Sequence, residues 1–348
     1  VPQWVYIDPS AKSFMTQLWN DKGEHKGLRR VTQADNEVLD GLRATGGLIG
    51  ADNFRIHKGC EETINEFSRP HEWDRRWWSP IILAEHLHMR DNVGLIGDMG
   101  FGIYELQGPD ALEMAQKITV GRMDVDVGKL VYTPVLDQSA GFRADLTVVR
   151  LGKNRFRFIT GGGDAGHDKQ WIRQHMEDDM EVELVSKSSA LGTMGVWGPN
   201  ARETLKQLAD HPEQLDPENF PFAASRDFTL KGIPVKGFRI SYVGEQGWEI
   251  HFPFSYGLSL WDMLYAQGVT PVGIETYANS RRLEKSLRLQ NHELKTEYNL
   301  YEAGLARPKV KDADFYGKAA YMEQRRRDHQ PAYLCTLTMP DNVDSQGV

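Results

Sequence analysis

The chain has 348 residues, 40% of them hydrophobic, and 41 basic against 49 acidic side chains give a formal charge of −8. This is more chain than one compact core usually takes, so two or three domains with a sizeable buried interior are expected. The acidic balance, with Arg325-Arg326-Arg327 as the longest basic run, argues against tracking of a phosphate backbone, and no apolar stretch approaches the ~20 residues of a membrane span.

Neither nucleic acid nor a membrane is therefore an expected partner. With no signal-peptide pattern at its start, the chain reads as a soluble, cytoplasmic protein. Cys60 and Cys335 stand in unrelated contexts, which predicts two reduced thiols rather than a disulfide or a thiolate metal site. The chain opens on Val1 and stops shortly after an expected strand, Ala332–Thr338, so both ends read as incomplete.

In chain order, residues 1–80 alternate short apolar pieces with turn chemistry and read as an irregular cap that ends in a cluster of Trp73, Trp77 and Trp78. A helix is expected from Pro80, carrying Glu85 and Arg90. From Val93 a unit repeats. Ile103–Gln107 followed by Gly108-Pro109-Asp110-Ala111, and Thr193–Trp197 followed by Gly198-Pro199-Asn200-Ala201, each predict a strand, a Gly-Pro turn and a helix. Strands are expected at Leu146–Arg150 and Arg155–Thr160 after the first copy, and at Phe228–Leu230 and Val235–Val243 after the second. Helices are expected at Lys169–Met176 and Tyr256–Gln267. This rhythm predicts an α+β fold of two related modules, 81–190 and 191–328, with residues 329–348 opening a further domain.

Several motifs are weak. Gly161-Gly162-Gly163-Asp164-Ala165-Gly166 formally satisfies a dinucleotide fingerprint, but no βα unit of that kind precedes it and the helix behind it opens polar. A loop that lets backbone approach a ligand fits better. His86 and His88 are two apart, on different faces of a helix, and no metal ligands are assigned. No GxSxG elbow supports a hydrolase.

Three segments instead carry polar residues where apolar faces are expected. Tyr132–Asp137 leads through a turn to Ala140–Val148, which places Asp145 at the mouth of a strand. Ser241–Ile250 is read as a strand in which a bulge near Gly247 turns Glu249 to the side of Tyr242. Ser280–Lys285 is a charged helix followed by Gln290-Asn291-His292-Glu293.

The order Gly-Pro-Asp-Ala, Tyr-Thr-Pro-x-Leu, Ala-Asp-Leu-Thr-Val, Gly-Pro-x-Ala-Arg, Ser-Tyr-x-Gly-Glu-x-Gly-Trp-Glu, Arg-Leu-Glu-Lys, Glu-Ala-Gly-Leu and Asp-Phe-x-Gly-Lys resembles the aminomethyltransferase (glycine-cleavage T-protein) family from about Glu85 to Tyr321. It is most similar to the folate-binding half of dimethylglycine and sarcosine dehydrogenases. The resemblance implies a ring of two related modules and a small C-terminal β-barrel, here truncated after its first strand, around a central tetrahydrofolate site.

It also implies that Asp145 is the catalytic carboxylate, that Glu249 grips the pterin's amino and ring nitrogens, and that Tyr242 lies beside the folate. Tyr132 and Trp248, from the same motifs, join the cofactor-binding set. Arg282 and Glu284 match a charged helix lining the folate-side opening, the alternative being a salt bridge internal to that helix. Ala144-Asp145 stands where glycine-cleavage enzymes carry an Asp-Asp pair, and Asn291 replaces a usual glycine, which counts against glycine cleavage itself.

The activity expected is transfer of a methyl or methylene group from a small organic donor to tetrahydrofolate. The Trp-rich cap favours an aryl methoxy or methylenedioxy donor, that is, a demethylase or demethylenase. The alternatives are amine demethylation with a separate flavoprotein, the aminomethyltransferase step of glycine cleavage, or a folate-binding module without transfer, for which the reactive cysteine motif is missing.

Overall fold

The structure, a computed structural model, describes residues 79–97, 100–306 and 309–336 together with the backbone of two short strands, β1 (Val5–Ile7) and β2 (Val31–Gln33), which pair in parallel. The rest of the cap, with Cys60, Trp73, Trp77 and Trp78, lies outside the described residues. The expected helix from Pro80 is α1 (Pro80–Asp91).

The strands that follow are β3 (Gly94–Ile96), β4 (Gly102–Gln107), β5 (Leu130–Leu136), β6 (Phe142–Gly152), β7 (Arg155–Thr160) and β8 (Glu183–Ser186). After them come β9 (Leu191–Trp197), β10 (Ser225–Leu230), β11 (Ile233–Phe238), β12 (Gly247–Pro253) and β13 (Thr270–Pro271). They build a five-stranded sheet in the order β5-β6-β7-β4-β8 and a six-stranded sheet in the order β10-β11-β12-β9-β3-β13, antiparallel except where β13 joins β3.

The repeat read from the Gly-Pro turns is present in three dimensions. β4 runs into α2 (Ala111–Ile118) and β9 into α4 (Ala201–Lys206). Both turns use a glycine at positive φ, 132° at Gly108 and 142° at Gly198, and at each a side chain would strike a backbone oxygen, of Glu181 or Asn92. The residue after each proline leaves the helical region at φ −94° and anchors its turn through its side chain. Asp110 accepts from the Glu181 amide at 2.8 Å, and Asn200 donates to Asn92 at 2.9 Å.

The sheets also share a strand order: β5-β6-β7-β4-β8 corresponds in order to β10-β11-β12-β9-β3. The fifth strands differ in origin. β8 follows β7 in the chain and pairs with β4 of its own sheet, whereas β3 precedes β4 but pairs with β9. The second sheet thus draws one strand from the first module's stretch of chain.

Alternation sorts the faces. In β6, Ala144, Leu146 and Val148 turn to a core with Leu106, Phe156 and Phe158, covered by α2 and by Ile172 of α3 (Ala165–Gln174). In the second sheet Met194, Val196, Trp248, Ile250 and Phe252 pack beneath α4 and α5 (Gly257–Ala266). The helix-free faces meet. Leu130, Val149 and Ile159 of one bury with Phe238 of the other, and the Leu130 amide donates to the Ala223 carbonyl at 2.9 Å. Helices therefore lie outside and a polar cleft can form only where these inner faces diverge.

Two sequence readings are corrected. Val235–Val243 is not one strand: β11 ends at Phe238, and residues 241–246 form a loop because the Ser241 hydroxyl takes the Gly244 amide at 2.9 Å and Gly244 sits at φ 82°. Local side-chain bonding of this kind competes with the ladder. Residues 332–336 form no strand, having no strand beside them among the described residues to complete a ladder. Residues 337 and 338 lie outside that set, and no closed barrel is present within it. No helix among the described residues is long and apolar enough to cross a membrane.

Candidate active site

Asp145 sits on β6 just past an irregularity in the ladder with β5. Val135 pairs with Ala144 and Leu136 with Phe142, so Arg143 is the extra residue of a bulge. Bulges re-aim the side chains that follow them. Asp145 consequently faces the inner cleft, where the Tyr132 hydroxyl donates to its Oδ2 at 3.0 Å. Tyr132 keeps 44% of its surface exposed, so the pair looks into an opening. Protein crowding raises the Asp145 carboxyl to about 6, against the pull of the Tyr132 hydrogen bond, with the carboxylates of Asp168 and Asp164 adding to the rise.

β7 does not reach this end of β6, and Gln290 takes its place. The Gln290 side chain accepts from the Asp145 amide at 3.1 Å and donates to the Arg143 carbonyl at 3.4 Å. The loop bearing Gln290 is clamped by Arg282, the first residue of α6 (Arg282–Glu284), which donates to Glu293 at 2.8 Å and to the Leu287 carbonyl at 3.1 Å. Glu293 in turn accepts the Leu289 amide at 2.9 Å. Within the same charged segment Glu284 pairs with Arg281, three residues earlier, and Arg282, 3% exposed, turns to this loop instead. The π-helical turn Thr276–Arg281 that leads into α6 brings both arginines inward.

The opposite wall comes from the second sheet and its loop. The Tyr242 hydroxyl donates to the Arg288 carbonyl at 2.7 Å, and its ring lies 5.3 Å from that of Tyr277, which stacks on Trp197 at 5.5 Å. Burial holds the Tyr277 phenol neutral, and Glu249, Tyr242 and Asp145 are the titratable groups around it.

Glu249, on β12, is 5% exposed, and its Oε2 has no hydrogen-bond partner. Burial alone lifts this carboxyl to about 8. The pseudo-equivalent position in the first sheet shows the contrast. There Arg157 faces Glu105 across the ladder, and Glu105 binds Arg157 at 2.7 Å and Arg155 as well. In the second sheet Glu249 faces Gly195, whose space is filled by the Trp197 ring, and no cation answers it. A buried carboxylate without partners is destabilising unless a donor arrives. A pterin edge, with two adjacent N–H donors, is what such a group accepts bidentately, so the residues present fit a bound folate.

Of the residues selected from sequence, Asp145, Tyr132 and Tyr242 lie near Tyr277, which Glu249 also neighbours, and Arg282 is buried against the loop bearing Gln290. Trp248 is elsewhere. Neighbours along a strand point oppositely, so it lies on the helix side, fully buried, 5.7 Å from Phe220 and flanked by Arg202 and Arg239. Gln290 and Tyr277 were not selected. Gln290 lies in a polar run that sequence reading had marked, whereas Tyr277 carries no signal because only the π-turn aims it. In the glycine loop Gly162 approaches the Gly100 backbone closely, while Gly161, Gly163 and Gly166 face open space. His86 and His88 bond separately, to Ser280 and Thr270.

The chain matches the model of the GCVT N-terminal domain over residues 52–310. It is 30% identical over 287 residues to the mitochondrial dimethylglycine dehydrogenase of Mus musculus, covering 80% of this chain but only 32% of that protein, about a third of its length. An aminomethyltransferase of Chloroherpeton thalassium is 30% identical over 272 residues, 76% of this chain and 73% of that one. The 4-methylaminobutanoate oxidase (formaldehyde-forming) of Paenarthrobacter nicotinovorans is 29% identical over 328 residues, 92% of this chain and 38% of that one. The crystal structure of the glycine cleavage system aminomethyltransferase T from Bartonella henselae has the same fold, with a TM-score of 0.63 at 24% identity over 70% of this chain and 66% of that one. The chain belongs to the GCVT family of aminomethyltransferases, a family that uses tetrahydrofolate.

Proposed function

We propose that this chain accepts a one-carbon unit from a small N-methylated amine onto tetrahydrofolate, with Glu249 holding the pterin edge and Asp145 handling the proton at the reacting nitrogen. The observation that carries the reading is the unpartnered, buried Oε2 of Glu249 in the same cleft as the raised carboxyl of Asp145. When bound, tetrahydrofolate supplies the nucleophilic nitrogen that takes the carbon.

Each of the chain's own groups has a task. Glu249, ionised by two donors, fixes the ring edge. Asp145, raised to about 6, is mostly a carboxylate at neutral pH yet close enough to that pH to exchange a proton with a nitrogen beside it. Tyr132 orients Asp145, Gln290 holds its backbone, and Tyr242 and Tyr277 wall the cleft with rings. Arg282 keeps the Gln290 loop in place.

Two relatives are named for N-methyl substrates, dimethylglycine and 4-methylaminobutanoate, which favours an amine-derived carbon over the aryl methoxy or methylenedioxy donor that the Trp cluster had suggested. Those relatives are a dehydrogenase and an oxidase, and the chain spans about a third of each, 32% and 38%. We therefore assign the oxidation that frees the carbon to a flavoprotein component rather than to the cleft.

Anaerobic calorimetry with tetrahydrofolate tests the binding half. Glu249→Ala should weaken affinity by about a hundredfold, the few kcal/mol of a charge-assisted pair at ~1.4 kcal/mol per decade. Unchanged affinity in a folded variant overturns the assignment. Single-turnover capture of carbon from an oxidised N-methyl amino acid tests the donor class.

A further inference from the structure

His251 is a buried base that none of the steps above uses. It follows Glu249 by two residues on β12, so both side chains share the inner face. It is 2% exposed, and neither ring nitrogen has a hydrogen-bond partner. Its Nε2 lies 3.9 Å from the unpartnered Glu249 Oε2, and the Phe238 ring, 4.3 Å away, fixes the plane of the imidazole. Two orphan polar groups side by side in one interior demand an account.

The charged groups around the pair are already matched. Arg157 faces His251 from the first sheet, but Glu105 holds it at 2.7 Å; Lys236, opposite His251 on β11, is held by Asp227 at 2.6 Å. On the Glu249 side the neighbour is the Tyr277 phenol, kept neutral by burial. Among the described residues, His251 is the one base facing the orphan oxygen.

Resting on the assignment of Glu249 to the pterin edge, we propose that His251 takes the Glu249 proton when a ligand with two adjacent N–H donors enters the cleft, so that the ligand is bound by a carboxylate–imidazolium pair and no proton leaves for solvent. The Oε2–H bond of Glu249 breaks and an Nε2–H bond of His251 forms. The pair need close by only ~1 Å to reach hydrogen-bond distance. In the free protein the carboxyl, at about 8, holds its proton and the buried imidazole is neutral, which is the starting state this transfer needs. Ionised Glu249 then opposes the burial and the Arg157 charge that otherwise keep His251 uncharged.

Calorimetry of tetrahydrofolate binding near pH 7 in buffers of different ionisation enthalpy measures the protons released. The wild type should release close to none. His251→Phe, which keeps a ring in place, should release about nine-tenths of a proton, the fraction of Glu249 protonated at that pH, and its affinity should rise up to about tenfold per pH unit below pH 8. Release of a full proton by the wild type, or of none by the variant, overturns the proposal.

If His251→Phe does not fold, ¹⁵N-histidine spectra of the wild type decide. One imidazole nitrogen should change from acceptor to protonated on ligand addition, and a ring that stays neutral overturns the proposal equally. Glu249→Gln separates the two readings: unchanged tetrahydrofolate affinity there rejects the pterin assignment itself, whereas lost affinity with a proton-releasing wild type rejects only the role of His251.

Discussion

The Tyr132 hydroxyl donates to Asp145 Oδ2 at 3.0 Å across the β5–β6 ladder, from a tyrosine open to the cleft to a carboxyl crowded by protein. This bond draws the Asp145 carboxyl down while burial draws it up, and burial wins. Tyr132→Phe should therefore move the acidic limb of the pH–rate profile upward from about 6. It should also lower kcat/KM by roughly ten- to a hundredfold, the worth of a hydrogen bond to a charged group. A profile whose limb stays in place would show that Asp145 is not the titrating group.

Asp145→Asn should slow turnover by about 10²–10⁴-fold while tetrahydrofolate affinity stays near normal, the pattern of an acid–base group rather than a binding one. The variant should melt no lower than wild type above pH 6. The folded carboxyl is raised from 3.8 to about 6, so the folded chain binds the extra proton in that window and loses stability as pH rises through it. Joint loss of stability and folate binding would mark Asp145 as a hairpin-shaping residue instead.

Glu249 gives the larger pH signature. Its folded carboxyl is raised from 4.5 to about 8, so stability of the free protein should fall as pH rises across that range and level off above it. Glu249→Gln removes the term. Its melting temperature should exceed the wild-type value by on the order of 5 °C near pH 9 and match it near pH 4.5. Parallel melting curves at both extremes would show the carboxyl is not buried as described.

Gln290→Ala tests the substitute for the missing ladder partner. Removing an acceptor from the Asp145 amide should destabilise by about 1 kcal/mol, yet reduce turnover about tenfold or more, because a shift of ~1 Å at the carboxylate is felt in the chemistry. Comparable activity in the variant would place the alignment of Asp145 elsewhere, in the bulge at Arg143.

Gly195→Ala should disrupt the far wall. A Cβ there would lie 1.9 Å from the Trp197 ring, displacing the indole on which Tyr277 stacks. We expect a loss of roughly 1–3 kcal/mol in stability with weakened tetrahydrofolate binding, measured by denaturant titration and calorimetry. A variant with wild-type stability would mean that the indole has room to move.

Local chemistry determined a good deal of this from sequence alone. The two Gly-Pro turns are legible because glycine is the residue that readily takes positive φ, and Gly108 and Gly198 both do so where a side chain would strike backbone. Asp145, Tyr242 and Glu249 lie in segments that carry polar residues where apolar faces are expected, and the family resemblance singles them out within those segments. Pairing was not determined locally: nothing in residues 94–96 announces that this strand joins the second sheet, since a ladder is chosen by which partner is near and not by the strand itself.

The same limit explains Trp248, where sequence adjacency to Glu249 suggested a shared role and the two-residue period of the strand sends it to the opposite core. It also explains Arg282, whose partner became Glu293 only once the π-turn set its direction, and His251, which reads as an ordinary strand residue. Only the meeting of two inner faces puts Arg157 on one side of that imidazole and the unpartnered oxygen of Glu249 on the other, because burial and the charges that answer it belong to the assembled interior and not to any segment.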